Sequence, residues 1–214
     1  MKYFFLLMSL FVSTVGTAMA YEKPNYIVLT TDKNIELRRY EPMLTAEVTV
    51  EGDYEGMKND GFRILADYIF GNNIKESTKG SEDIAMTVPV TVEPASENIA
   101  MIAPVTVELR EGTKEKWTMR FMMPSKYNLE TLPKPKDPRV KIVEIAGFDA
   151  LAVRFSWLFS VEDYKKYSGI LKDYAAKENI ELKGLPYSAQ YDSPFTLPFM
   201  RRNEVLWQVE TRKN

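Results

Sequence analysis

Ten residues are written almost twice. Positions 84–93 read IAMTVPVTVE and positions 99–108 read IAMIAPVTVE. In each copy alternate residues are apolar: Ile84, Met86, Val88, Val90 and Val92, then Ile99, Met101, Ala103, Val105 and Val107. A strict period of two puts those side chains on one face of a β-strand. The linker 94–98 has turn character, so the copies are expected to be strands that pair or lie side by side. Pro89 and Pro104 have no N–H to give to a ladder, which confines them to bulges, strand ends or outward edge positions. The repeat therefore reads as a duplicated strand with a bulge, and need not carry chemistry itself.

The rest of the chain supplies partners for those strands. Short strand patterns occupy 26–29 and 35–39, around a Thr-Asp-Lys-Asn turn, and 43–50 alternates with Leu44, Ala46, Val48 and Val50 on one face. Gly52-Asp53 offers a turn and a helix N-cap. Positions 54–70 have helical spacing, with Tyr54, Met57, Gly61, Leu65 and Tyr68 on one face. Gly61 on that face lowers helix propensity by about 1 kcal/mol, which points to close packing on a sheet. Gly71-Asn72-Asn73 stops the helix, and 72–83 is expected to be a polar, mobile loop. Strands follow at 116–122, 140–145 and 150–155, with a proline-rich extended crossing at 124–138. Ser160 to Asp163 forms a capping box with Asp in place of Glu, opening a second helix that runs to about Lys177. Closing strands are expected at 187–191 and 204–210.

A longer echo is visible. ILADY at 64–68 matches ILKDY at 170–174 in corresponding helices, and the order strand pair, helix, strands occurs twice. The expected fold class is α+β: a distorted antiparallel barrel or curled sheet with two helices and a pseudo-twofold internal repeat.

Composition limits what such a domain can do. The chain has no cysteine and no histidine. The usual thiol nucleophile, general base, zinc ligand and axial heme ligand are all missing. No nucleophile-elbow or phosphate-loop motif is present. The formal net charge is −2, which is not the basic footprint of a nucleic-acid binder. Positions 1–20 read as a secretory signal peptide: Lys2, a short apolar run, and Ala18-Met19-Ala20 as the cleavage site. The expectation is a single domain over 21–214, periplasmic or secreted, without a membrane span.

Several stretches resemble the SOUL heme-binding protein family: EDIAMTVPV at 82–90, FMMPSKYNLETLPKPKDPRV at 121–140, YDSP at 191–194 and RRNEV at 201–205. The resemblance covers nearly the whole chain after the leader. It implies a fold like that of bacterial effector-binding domains, and a protein that binds heme or another tetrapyrrole for carriage, buffering or sensing rather than an enzyme. One branch of the family is described with an axial histidine, which this chain cannot supply; other relatives hold heme by apolar contact along the first helix. The family often places Trp directly after RRNEV. Here Leu206 intervenes and Trp207 follows, and one residue in a strand changes faces.

Two candidate sites follow. On the first helix Phe62, Ala66 and Phe70 are spaced i, i+4, i+8, beside Asn59 and with Arg63 available to a propionate. This is the segment the family uses against porphyrin, and its alternative is packing under neighbouring loops. In the closing loop Pro194, Phe195, Leu197, Pro198, Phe199 and Met200 are unusually apolar; such a loop either marks a binding surface or folds inward as core. Met86, Met101, Met119 and Met122 could supply a thioether ligand, and Tyr68 or Tyr174 a phenolate, although each suits the core. Arg201, Arg202, Asn203 and Glu204 read as an ion-paired strand entry. No catalytic and no metal-binding residues are assigned.

Overall fold

The structure, a computed structural model, describes residues 21–95, 115–193 and 195–210. The second copy of the ten-residue repeat and the proposed leader lie outside the described residues. In chain order the elements are β1 (Tyr26–Asp32), β2 (Ile35–Tyr40), β3 (Met43–Gly52), α1 (Tyr54–Ile69), β4 (Asn73–Ile74), β5 (Val90–Pro94), β6 (Glu115–Met122), β7 (Lys134–Pro135), β8 (Lys141–Ile145), β9 (Phe148–Phe155), α2 (Val161–Lys177), β10 (Leu182–Gln190) and β11 (Asn203–Val209). Nine strands form one antiparallel sheet in the order β1-β2-β9-β11-β10-β5-β6-β3-β8, and β4 pairs with β7 apart from it.

That order reads the same from both sides once β1 is set aside. Each repeat is two strands, a helix and two strands: β2, β3, α1, β5, β6, then β8, β9, α2, β10, β11. The first strand of each repeat pairs with the second strand of the other, β2 with β9 and β8 with β3. The β5–β10 ladder joins the halves at the centre, with Val92 opposite Ser188. α1 packs on β3 and β6, and α2 on β9, β10 and β11. Leu65 of ILADY and Leu171 of ILKDY are both fully buried in this packing. Duplicated sequence has become duplicated structure.

Both helices start where their caps place them. The Asp53 carboxylate accepts from the Gly56 N–H at 2.7 Å. At the second start the Ser160 hydroxyl accepts from Asp163 N–H, and the Asp163 carboxylate accepts from Ser160 N–H, so aspartate closes the box. Gly61 has the close approach expected of it: a Cβ there would stand 3.3 Å from Met119 Sδ on β6.

One expectation is narrowed and two are corrected. Of the barrel and the curled sheet, the protein has the curled sheet, open rather than closed. β1 is an extra strand on one edge, and β8 carries Lys141 and Glu144 on the other, charges that discourage further strand pairing. The first repeat copy is not one continuous strand. Only its last four residues belong to β5; before them the chain has a cis Val88–Pro89 peptide and a single bridge from Thr87 to Glu22. Pro89 thus sits just outside the strand end, where its missing N–H is harmless. Finally, the polar segment 72–83 is anchored. Buried Asn73 donates to the carbonyls of Tyr68 and Glu82, both at 2.8 Å. Lys75 Nζ lies 2.6 Å from the Glu82 carboxylate, and the Tyr127 hydroxyl donates to it at 2.9 Å. Among the described residues no helix is long and apolar enough to cross a membrane.

Candidate ligand-binding groove

A groove of about 320 Å³ runs between α1 and the strand region that follows it. Lys58, Asn59 and Phe62 form the helical wall. Met86, Val88, Val90 and Val92 form the opposite wall, and Met119 contributes from the sheet. Tyr21 and the segment from Gln190 to Ser193 complete the rim. The first copy of the repeat therefore contributes four of its five apolar residues to one cavity, while Ile84 is buried in the core. Gly61 brings the helix close enough for Met119 to serve both core and groove. Gln190 Nε2 donates to the Tyr54 hydroxyl at 3.2 Å, fixing the rim to the start of α1.

The rim is held from behind by a buried charge cluster. The Glu204 carboxylate accepts two bonds from Arg38, two from Arg202 and one from the Tyr191 hydroxyl, at 2.7–3.0 Å. The Arg202 guanidinium also lies over the Tyr191 ring, 4.1 Å from its centroid. Burial alone pushes the Glu204 carboxyl up, but the hydrogen bonds and charges of Arg38 and Arg202, with the Tyr191 hydroxyl, outweigh it and hold the group below its ordinary value. Burial pushes the Tyr191 phenol well up, so it stays a neutral donor. The expected ion-paired strand entry is present: Asn203 donates to the Trp157 carbonyl at 2.7 Å, and Arg201 Nε to the Thr196 carbonyl at 2.9 Å. Leu206 and Trp207 face opposite sides, Leu206 with Tyr40, Ala150 and Tyr191, and Trp207 against the helix-side core.

The helix stripe is divided by the structure. Phe62 is 40% exposed, lines the groove and meets Phe121 edge-on, centroids 5.4 Å apart. Arg63 points to solvent and pairs with Asp60 at 2.9 Å. Half-buried Ala66 and the 65%-exposed Phe70 lie outside the groove lining. In the closing loop Phe195, Leu197, Phe199 and Met200 are all exposed, Phe195 at 95%, so this part of the loop does not fold inward. It leaves the groove rim after Ser193 and joins a second apolar loop that sequence reasoning passed over. Trp157 N–H donates to the Pro198 carbonyl at 2.9 Å, and Trp157 and Leu158 are exposed beside it. Their signal was an apolar triplet immediately before a capping box.

Of the possible axial ligands, Met86 and Met119 line the groove. Tyr68 does not: its hydroxyl donates to the Pro133 carbonyl at 2.7 Å, and burial pushes its phenol up. Tyr174 is also pushed up, by partial burial and the Glu178 charge. Among the described residues no group of three His, Cys, Asp or Glu is placed to hold a metal ion.

A family model described as SOUL heme-binding protein matches residues 21–208. The chain belongs to the SOUL heme-binding protein family. The stretches that carry the SOUL resemblance mostly build scaffold: Glu82 with Tyr127, Tyr68 on Pro133, and Tyr191 with Arg202 and Glu204. A comparison with curated proteins gives no match. Among solved structures, a hydrolase encoded by lin2189 from Listeria innocua aligns over 85% of this chain and 94% of its own, at 15% identity and a TM-score of 0.55. The EcmrR C-terminal domain aligns over 83% of this chain and 97% of its own, at 9% identity and a TM-score of 0.57. At these identities the likeness is one of fold.

Proposed function

We propose that this SOUL-family protein is a non-enzymatic binder of heme or a related tetrapyrrole, exported after cleavage behind Ala20, and that apolar contact in the groove beside α1 holds the ligand. The observation that carries the reading is the apolar wall formed by Phe62 facing Met86, Val88 and Val90. With no imidazole or thiolate in the chain, Met86 or Met119 is the side chain that could offer a thioether to the iron. Lys58, on the helical wall, is a better propionate partner than solvent-facing Arg63. The groove lies at the small end of ordinary ligand pockets, ~300–1,000 Å³, so it would take one face or edge of the macrocycle. The exposed Phe195, Leu197, Phe199 and Met200 would cover another part of it. Burying an aromatic side chain is worth roughly 1.5–3 kcal/mol, so binding should be modest and the spectrum unlike that of a bis-histidine heme. Bound heme would supply redox and ligand-binding chemistry; the chain contributes enclosure and charge.

A second reading has its own support. Trp157, Leu158, Phe195 and Phe199 are exposed on two loops joined by the Trp157–Pro198 hydrogen bond, and clustered apolar residues of this kind mark contact surfaces. The fold would then serve another apolar molecule or a protein partner. A hemin titration of the mature protein, followed in the Soret region, separates the two. Saturable binding supports the tetrapyrrole reading, and no saturable binding removes it.

A further inference from the structure

The strand that walls the groove has another side. Val88, Val90 and Val92 line the groove beside α1, whereas Pro89, Thr91 and Glu93 border a separate cavity of about 270 Å³ in the hollow of the curled sheet. Both halves of the sheet contribute to it: Thr45 and Arg120 from one, Phe148, Tyr187 and Gln208 from the other. Beside it Arg120 is held between two carboxylates, its Nε 2.8 Å from Glu47 and its Nη1 2.6 Å from Glu93.

The internal repeat provides a control for that cluster. The buried row Val48, Met119, Val92 in one half corresponds to Val153, Val205, Ser188 in the other, each paired across neighbouring strands. In this register Ala152 stands where Glu47 does, Leu206 where Arg120 does, and Ala189 where Glu93 does. The architecture is thus built once with two alanines and a leucine and once with a partly buried ion triad. Desolvating charges makes the second solution no better for stability, and commonly worse, than the first. The fold does not require the triad, and the triad borders a cavity.

We propose that the hollow is a second binding site, for a compact organic cation: an ammonium group on a small apolar or aromatic body. Two carboxylates against one guanidinium leave one net negative charge at the site. The guanidinium is already engaged by both carboxylates. Glu93 reaches the cavity and can accept from an ammonium. Phe148 and Tyr187 offer aromatic surface to the body and, face-on, to the charge. Burial keeps Tyr187 a neutral phenol. The space equals roughly nine waters at ~30 Å³ each, which suits a small amine and excludes a tetrapyrrole.

The test uses the mature chain and 2-phenylethylamine as probe, titrated against ¹⁵N-labelled protein, with 3-phenylpropionate as the anionic counterpart. The expected result is saturable shifts at Thr91, Arg120 and Gln208 for the amine and none for the acid. Glu93→Gln should weaken amine binding about tenfold or more. Thr91→Leu, which fills the hollow beside Arg120 and leaves all three charges in place, should abolish it even if Glu93→Gln does not fold. Absence of saturable shifts at the hollow, equal or tighter binding of the acid, or unchanged binding by Thr91→Leu would overturn the proposal. None of these outcomes depends on hemin.

Discussion

Arg38 and Glu204 stand 166 residues apart and form a two-pronged ion pair at 2.7 and 3.0 Å, with side chains 2% and 0% exposed. The pair ties β2 to β11 across β9, which lies between them in the sheet. Removing one member of such a pair leaves a buried charge and typically costs about 3–5 kcal/mol. Glu204→Ala should lose that much in urea denaturation. The double variant Arg38→Met, Glu204→Leu should recover a substantial part of it. A double variant no more stable than Glu204→Ala would show that the charge left behind is not what destabilises the single variant.

Acid should unfold the protein through the same carboxylate. The Glu204 group is held below its ordinary value of 4.5 in the folded state. Its contribution is complete above that value and is lost as pH falls through the lower, folded one. Glu82 shifts the same way, held down by Lys75 and Tyr127. With no histidine in the chain, stability should be nearly flat between about pH 5 and 8 and should drop only below it. Melting temperatures across pH 3–8 check this, and a step near pH 6.5 would contradict it.

Gly61 should not accept a large side chain. A Cβ there already meets Met119 at 3.3–3.4 Å through its Sδ, Cβ and Cε. Gly61→Leu should cost about 1–3 kcal/mol, as overpacking does. It should also change the groove, because Met119 lines it. An unchanged unfolding midpoint would mean that α1 moves off the sheet freely.

The two phenylalanines of the helix stripe should behave differently. Phe62→Ala should weaken hemin binding about tenfold, since ~1.4 kcal/mol is a factor of ten. Phe70→Ala and Arg63→Ala should have little effect, because both residues lie outside the groove lining. Met86→Ala should also change the Soret position if its thioether approaches iron. Equal affinities for wild type, Phe62→Ala and Met86→Ala would shift attention to the exposed loop around Phe195 and Phe199.

The mature chain should begin at Tyr21. Intact mass of protein from its native host tests this, and a mass that includes Met1 would refute cleavage. Tyr21 lines the groove, so cleavage would create an ammonium group at the rim.

Much of the fold was legible because local rules and packing agree. The helix limits follow from Asp53, Ser160 and Gly71, and the inner face of α1 from Met57, Gly61, Leu65 and Tyr68. The groove was half legible: Phe62 was visible by helical spacing and Met86 as a possible thioether, whereas Val88 and Val90 read only as strand residues. The hollow was not. Glu47, Glu93 and Arg120 occupy polar positions of alternating strands, which ordinarily face water, and only the curl of the sheet turns Glu93 and Arg120 toward a cavity. Ala150, Ala152 and Ala189 were the available signal, small residues on strand faces that would otherwise be polar. The clip between β4 and β7 was missed because two residues are too few to show a period.

Alternate side chains of one short stretch, 88–93, face two different cavities. Point substitutions there can reshape either chamber while sparing its neighbour, because even and odd codons answer to different walls. A one-residue insertion or deletion has no such freedom. It would exchange valines for Thr91 and Glu93 along the wall, placing acid in the apolar groove and hydrocarbon beside Arg120. Across the lineage, this stretch should tolerate change in identity far better than change in length.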